Sequence, residues 1–221
     1  MKTFLPALLS NLVFLAILLA CAGSLRYWPA WIYAATGALT FAAMQLVLRG
    51  DPELARERAK PGPDAERWDK RLLGLGFLAT LAQLVVAGLD AGRFHWHPRL
   101  AWPWAAAGLL LVLAGMAVFL LALRENRFFS AVVRVQRDRG HAVCRSGPYG
   151  VVRHPGNAGM LVGALGLPLL FQSAWSAIPA AIFAALLVVR TRLEDAVLAR
   201  DLDGYRDYQR ETRYRLVPGL W

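Results

Sequence analysis

Charged residues are scarce in this chain. Of its 221 residues only 18% are charged, whereas 57% are hydrophobic and the mean hydropathy is +0.40. The apolar residues fall in runs too long and too continuous for a soluble domain, so the sequence predicts an integral membrane protein. Only two cysteines occur, Cys21 in a predicted span and Cys144 in a predicted loop, and this placement argues against a disulfide between them.

Motifs of soluble cofactor chemistry are missing as well. No Gly-x-Gly-x-x-Gly follows a strand pattern, and neither a Walker loop nor a His-Glu-x-x-His occurs, which excludes Rossmann-type cofactor binding. His95 and His97 flank Trp96 without support from a carboxylate or cysteine in the sequence. We therefore predict no metal site and interpret this loop as an interfacial aromatic patch.

Long apolar runs define the predicted membrane spans. The runs cover residues 4–25, 28–48, 72–89, 101–123 and 159–189. Pro168 and the polar pair Gln172-Ser173 divide the last of them. The sequence therefore predicts five membrane spans, or six if the last stretch forms a helical hairpin.

Basic residues between the runs set the predicted orientation. Seven Lys and Arg residues lie in each of the segments 49–71, 124–153 and 190–215, whereas the other connections contain only Arg26, Arg93 and Arg99. Because cytoplasmic loops carry the excess of basic residues, these three segments are predicted to be cytoplasmic. Only a hairpin keeps the last two on the same side, so we predict six spans with both termini in the cytoplasm. The net charge of +10 then needs no nucleic-acid partner, because basic loops also attract anionic membrane lipids.

The first span admits a second interpretation. Lys2 followed by an apolar run ending in Leu-Leu-Ala-Cys21 is also typical of a bacterial lipoprotein signal, in which Cys21 would carry the lipid. The run continues to Leu25, which is long enough to span and favours a retained helix. Whether this span is retained or processed at Cys21 stays open.

We predict one membrane domain over residues 1–221, because no repeat or flexible linker divides the chain. Four spans lie in 1–123, and the region 124–221 is richer in specific polar residues. A short surface helix over 52–60 and a Pro61-Gly62-Pro63 turn are predicted between the second and third spans. In segment 126–138 aromatic and β-branched residues alternate with arginines, which predicts a segment half-embedded in the headgroup layer.

The most specific stretch is the loop 146–159, which leads into an apolar run. Its prolines fix φ, its glycines permit close backbone approach, and Arg153 and His154 stand where hydrocarbon is predicted to begin. Polar residues of this loop and of neighbouring segments are predicted to lie together at the cytoplasmic face, and few of them are carboxylates. These polar residues are Gln136, His141, Tyr149, Arg153, His154, Arg190 and Glu194. Such a set suits the binding of a polar cofactor and an anionic group better than hydrolysis by paired acids.

Several short motifs follow one another in the C-terminal region. They are Gly140-His141 with Val143, Gly147-Pro148-Tyr149, Arg153-His154-Pro155, Gly159, a basic helix end with Glu194, Gly204-Tyr205 to Tyr208, and Arg215-Leu216-Val217-Pro218-Gly219. In this order, over 126–221, they resemble the isoprenylcysteine carboxyl methyltransferase family in its bacterial branch. Trp68-Asp69-Lys70, within 53–71, also resembles the bacterial members. The resemblance implies a methyltransferase of the bacterial inner membrane.

The resemblance also implies a cofactor and its contacts. S-adenosylmethionine would be held at the cytoplasmic face by a loop and two helices rather than by a Rossmann sheet. The family's cofactor contacts fall on Gln136, His141, Ala142, Val143, Cys144, Tyr149, His154, Pro155, Gly156, Asn157 and Glu194. Its substrate-side arginine falls on Arg190. The family usually has Tyr after Arg-His-Pro-x, where this chain has Asn157, so a small amide replaces a ring.

The methyl acceptor is left open by the sequence. A carboxylate acceptor would need no strong base, only an arginine to orient it and an acid to hold the cofactor's amino group. A thiol or amine acceptor would require a base, for which His141 and His154 are the candidates. We expect an amphiphile: a lipid-like or prenylated small molecule or protein that enters from the lipid.

Two other classes of function remain as alternatives. An NADPH-dependent membrane reductase of the sterol-reductase type could use the basic pocket to hold dinucleotide phosphates. A non-catalytic membrane protein or transporter would bind no cofactor, but ionisable residues, which a transport pathway would need, are scarce inside the predicted spans. The oligomeric state is not predicted.

Overall fold

The computed structural model describes residues 4–62, 65–98 and 100–221, with side chains from residue 8 onward. Lys2, Pro63 and Arg99, which entered the expectations above, lie outside the described residues. The helices are α1 Phe4–Ala22, α2 Trp28–Arg49, α3 Pro52–Ala59, α4 Arg67–Ala87, α5 Trp102–Glu125, α6 Pro155–Leu170, α7 Ala177–Asp201 and α8 Tyr205–Glu211. A π-helix, Gly88–Phe94, continues α4. No strand occurs in these ranges, which confirms the all-α prediction there.

The six long helices follow the predicted spans. α1, α2, α4 and α5 coincide with the first four apolar runs, and α6 and α7 form a hairpin that turns at Gln172, where φ is +55°. Three helices in the described part of the chain are long and apolar enough to cross a membrane: α2, α4 with its π extension, and α5. α6 and the described apolar part of α1, Leu8–Ala22, are shorter. The structure is that of a membrane protein, whereas the six crossings and their orientation stay predictions.

Glycines bring α5 and α6 into backbone contact. A Cβ added to Gly115 would lie 2.4 Å from the carbonyl oxygen of Gly159, and one added to Gly108 would lie 2.6 Å from that of Gly166. Gly159 and Gly166 are therefore positions at which these two helices pack closely. A Cβ on Gly163 would point into open space, although its backbone contacts Gly115. This close pair supports one wall of the site.

The helix α3 holds segment 126–138 against the protein. The Asp51 carboxylate caps α3 by accepting hydrogen bonds from the backbone N–H groups of Glu53 and Leu54 at 3.1 and 2.9 Å. Glu57 on α3 accepts two hydrogen bonds from Arg134, at 2.9 and 2.7 Å, and both side chains are buried. The arginines of this segment were expected at the headgroup layer, but Arg134 is buried among protein groups because Glu57 neutralises it.

Candidate cofactor and acceptor site

One cavity of about 870 Å³ runs through the helical body. Its polar end is lined by the loop between α5 and α6 and by the middle of α7, and its apolar end by facing sides of α1, α2, α4, α5 and α6. Residues of the polar end include His141, Tyr149, His154, Asn157, Arg190 and Glu194; residues of the apolar end include Phe14, Tyr33, Phe77, Val112 and Leu167. A site of this form suits an amphiphile together with a polar ligand.

Asp195 joins the elements around the polar end. Its carboxylate accepts hydrogen bonds from Arg153 Nε and Nη2 at 2.8 and 3.1 Å and from the Tyr205 hydroxyl at 2.9 Å. Gln209 Nε2 and Arg215 Nε donate to it at 3.0 and 2.9 Å. The loop, α7, α8 and the C-terminal tail therefore meet at one carboxylate, which is only 2% exposed.

The Arg-His pair of the loop also binds the backbone of the tail. Arg153 Nη1 donates to the carbonyl oxygens of Thr212 and Arg213, both at 2.7 Å. The backbone N–H groups of Arg153 and His154 donate to the carbonyl oxygens of residues 214 and 215 at 2.9 and 3.0 Å. Arg153 is thus a buried structural residue that fixes the tail beneath the loop.

His154 stands between the neighbouring carboxylates of Glu194 and Asp195 on α7. Its Nε2 lies 3.1 Å from Asp195 Oδ1 and 3.3 Å from the Tyr205 hydroxyl, and its Nδ1 lies 3.7 Å from Glu194 Oε2. The ring is buried but borders the cavity. Because Asp195 and Tyr205 already engage Nε2, the ring's orientation is fixed by protein contacts.

Arg190 lies at the junction of the two ends of the cavity. Its Nε donates to Asp69 Oδ1 at 2.7 Å, and its Nη1 donates to Asn157 Oδ1 at 3.2 Å and to Glu194 Oε2 at 3.5 Å. Asp69 is fully buried and also accepts a hydrogen bond from Val133 N at 2.8 Å. Within the described residues no hydrogen bond involves Arg190 Nη2, so this nitrogen is left as a donor towards the cavity.

Asn157 links the loop side of the site to α7. Its Nδ2 donates to Glu194 Oε2 at 3.0 Å and to Thr191 Oγ1 at 3.1 Å, while its Oδ1 accepts from Arg190. The Asn157 amide, at the position where the resemblance would place a tyrosine, therefore has a structural role here. It holds the Glu194 carboxylate, which remains 24% exposed.

The segment 136–144 forms a wall of the polar end. The His141 ring lies 4.6 Å from the Phe128 ring, and its Nδ1 accepts a hydrogen bond from Gln136 N at 3.2 Å. Burial, and then the positive charges of Arg134 and Arg139, lower the pKa of His141 to about 4, so its ring is neutral at physiological pH.

Most of the predicted contact residues border the cavity. His141, Ala142, Val143, Cys144, Tyr149, His154, Gly156, Asn157, Arg190 and Glu194 line it. Gln136 and Pro155 are not among its lining residues. The Gln136 amide is instead used inside the protein, where its Nε2 donates to Phe128 O at 2.7 Å and its Oε1 accepts from Arg139.

Sequence reasoning missed two buried carboxylates that pair with arginines of the site. Asp69 was noted only within a motif, and Asp195 was overlooked beside Glu194. The available clue was charge balance: Arg153 and Arg190 at the edge of hydrocarbon each required a buried partner. The search for such partners would have led to the few acidic residues near them.

The outer loop carries a carboxylate contact that was not predicted. Asp90 Oδ2 lies 3.0 Å from His97 Nε2 and accepts a hydrogen bond from Ser173 Oγ at 2.6 Å. The expectation that His97 lacks carboxylate support is therefore wrong, because the π-helix carries Asp90 towards the hairpin turn. In the part of the chain that the structure describes, no three His, Cys, Asp or Glu side chains group in a way that could hold a metal ion.

Comparison with known proteins finds a family match for part of the chain. Residues 106–200 match the isoprenylcysteine carboxyl methyltransferase (ICMT) family, which confirms the resemblance inferred from the motifs. The matched stretch contains most of α5, the loop, α6 and most of α7, and hence most residues of the polar end of the cavity.

Two relatives are similar over a longer stretch. The chain is 29% identical over 139 residues to the nickel-cobalt-cadmium resistance protein NccN of Alcaligenes xylosoxydans xylosoxydans, which covers 62% of each protein. It is 30% identical over 139 residues to the cobalt-zinc-cadmium resistance protein CzcN of Cupriavidus metallidurans, which covers 62% of this chain and 61% of that protein. The similarity thus spans about three fifths of these relatives' length.

Proposed function

We propose that this chain, whose residues 106–200 match the isoprenylcysteine carboxyl methyltransferase family, transfers a methyl group from S-adenosylmethionine to an amphiphilic acceptor at the cytoplasmic face of the bacterial inner membrane. The family match and the three long apolar helices support a membrane methyltransferase. The observation that carries the finer proposal is the continuity of this cavity, which joins a polar end at the matched loop to an apolar end between helices.

The cavity as a whole has room for a cofactor, and its polar end has groups that suit S-adenosylmethionine. The cavity volume of about 870 Å³ lies in the range of about 300–1,000 Å³ typical of small-molecule sites. Within the described residues, protein contacts engage Oε2 of Glu194 and leave Oε1 to accept hydrogen bonds from the cofactor's amino group. Tyr149 and the segment 141–144 would border its adenosine part. When bound, the cofactor supplies a methyl group on a positively charged sulfur.

Arg190 would orient the acceptor. Asp69 and Asn157 fix two of its nitrogens, and Nη2 can then donate a hydrogen bond to an acceptor oxygen. Its side chain is only 12% exposed, so an acceptor placed there loses most of its water. Desolvation and fixed orientation both favour in-line attack by an anion on a cationic methyl donor.

The surroundings favour an acceptor that is already ionised. His141 is a weak base because its pKa is about 4, and His154 Nε2 is engaged by Asp195 and Tyr205. Burial raises the pKa of the Cys144 thiol, which therefore stays protonated at neutral pH. Neither His141 nor Cys144 is therefore a ready base, and a carboxylate or other anionic oxygen, which needs none, suits the site better than a thiol or an amine.

Calorimetry on the purified protein tests the cofactor. S-adenosylmethionine should bind and NADPH should not. Glu194→Gln should weaken S-adenosylmethionine binding about tenfold, or about 1.4 kcal/mol. The matched control is Glu211→Gln, which changes an exposed carboxylate paired with Arg145 and should leave the affinity unchanged. Binding of NADPH instead, or equal effects of the two variants, would contradict the proposal.

The names of the two relatives add a physiological candidate, resistance to heavy metals. Cobalt and cadmium appear in both names, so deletion of the gene should lower growth on either metal. Restoration by the wild-type gene but not by the Glu194→Gln gene would connect resistance with methyl transfer. Unchanged growth of the deletion strain would refute a role in metal resistance. The proposed methyl transfer would not be affected, because the binding measurements test it separately.

A further inference from the structure

Arg58 differs from the other arginines that line the cavity. Arg134, Arg153 and Arg190 are each paired with a carboxylate at 2.7–2.8 Å. Within the described part of the chain, no carboxylate lies within ion-pair distance of the Arg58 guanidinium. Arg58 extends from α3 and also lines the cavity. Its charge is therefore not neutralised by the protein.

The contacts of Arg58 are weak or uncharged. Its Nη1 donates to the Phe129 carbonyl oxygen at 3.3 Å, and its Nη2 lies 3.9 Å from the Met44 sulfur. The guanidinium carbon stands 5.3 Å and 6.0 Å from the ring centroids of Phe129 and Phe119. Burial lowers the pKa of Arg58, which reflects the cost of holding an uncompensated cation away from water. A bound anion would recover that cost.

An apolar lobe of the cavity begins beside Arg58. Tyr33 and Ala42, both on α2, line this lobe, and the nine positions that separate them correspond to a helix length of about 14 Å. Opposite them the lobe is lined by α5 from Phe119 to Val112 and by Phe77 of α4. Among the described residues, these three helices are the ones long and apolar enough to cross a membrane. The lobe thus has the length and lining for a long hydrocarbon chain.

The charges around Arg190 indicate why a second cation is useful. Arg190 shares its single positive charge with two carboxylates, Asp69 and Glu194. This group therefore carries a formal net charge of −1, which would repel an anionic acceptor. Arg58 supplies positive charge to the same cavity without an attached carboxylate, and so can offset that repulsion.

We infer that Arg58 binds the anionic head group, a carboxylate or a phosphate, of a single-chain amphiphile whose hydrocarbon chain lies in the apolar lobe. This inference rests on the proposed function in one respect: it identifies this amphiphile as the class of methyl acceptor. Arg58 then selects the charged head group, while Arg190 orients the oxygen that receives the methyl group.

Direct binding measurements test this role. We would place the wild-type protein in phosphatidylcholine nanodiscs and measure the affinities of tritiated dodecanoate, dodecyl phosphate and dodecanol. The wild type should bind at least one anionic probe about tenfold more tightly than dodecanol, and the tighter anion identifies the head group. In Arg58→Gln this preference should disappear while dodecanol affinity stays unchanged. Arg58→Lys, which keeps the charge, should retain part of the preference.

The matched control is Arg56→Gln, which removes the same charge from an exposed position on α3 and should bind all three probes like the wild type. The unfolding temperature without ligand gives a second readout. Arg58→Gln should unfold at the same or a higher temperature, because it removes a cation that lacks an ion-pair partner. Equal wild-type affinity for all three probes, a preference that survives in Arg58→Gln, or a lowered unfolding temperature would overturn the inference.

The same preparations separate this inference from the proposed function. S-adenosylmethionine binding is measured without any amphiphile. If the wild type does not bind S-adenosylmethionine, the methyltransferase proposal is refuted. A charge preference that depends on Arg58 would then still show an anion-binding site. Normal cofactor binding without a charge preference among the amphiphiles would refute the Arg58 inference alone.

Discussion

Asp195→Asn should destabilise the protein more than any exposed charge substitution. Asparagine keeps the size of the side chain but directs an N–H₂ group towards donors such as Arg153, which already point at this position. The Arg153 and Asp195 side chains are only 5% and 2% exposed. Removing one partner of a buried ion pair leaves the other uncompensated, at a cost of about 3–5 kcal/mol. We expect the free energy of unfolding to fall by that amount.

The control for this substitution is Asp207→Asn. Asp207 pairs with Arg210 at 3.1 Å, but the two side chains are 66% and 82% exposed, so its loss should cost about 0–1 kcal/mol. Both variants would be unfolded by titration with sodium dodecyl sulfate in mixed micelles and followed by circular dichroism. Limited proteolysis should also release the tail after Leu202 more readily in Asp195→Asn. If the two variants lose equally little stability, the network does not hold the tail in place.

Three further predictions concern the site and its orientation. Arg190→Lys should lower turnover about tenfold or more while the S-adenosylmethionine affinity stays within about twofold, and a joint fall would make Arg190 a cofactor ligand. Stability should fall as the pH drops from 6.5 towards about 4, because the unfolded chain takes up a proton at His141 that the folded chain disfavours. His141→Gln should flatten that part of the profile, and an unchanged profile would refute the pKa assignment. In intact cells, with the native cysteines replaced, a membrane-impermeant thiol reagent should label a cysteine at position 95 and spare one at 204, and the reverse would invert the topology.

The helices were predictable because their determinants are local. The apolar runs predicted the approximate ends of α2 and α5. Pro168 and the polar pair that follows indicated the hairpin formed by α6 and α7. The predicted surface helix over 52–60 corresponds to α3. Where a helix begins or ends depends on side chains within one turn, and these can be read directly from the sequence.

The partners inside the site were harder to predict because they are distant in the chain. Arg190 and Asp69 are 121 positions apart. Glu194 and Asp195 are neighbours, but successive helix positions point about 100° apart, so only one of them borders the cavity while the other meets Arg153. The sequence predicted that the loop and α7 would meet, but it did not determine which carboxylate faces which partner.

The most direct test is transfer of the labelled methyl group itself. Membranes containing the wild-type protein are incubated with S-adenosylmethionine that carries a tritiated methyl group, and the lipids and proteins are then separated. We predict label in an amphiphilic acceptor, loss of that label in Glu194→Gln, and wild-type labelling in Glu211→Gln. For a carboxylate acceptor, mild base should release the label as volatile methanol. Absence of labelled acceptor in membranes that contain the folded wild-type protein would contradict the proposed methyltransferase.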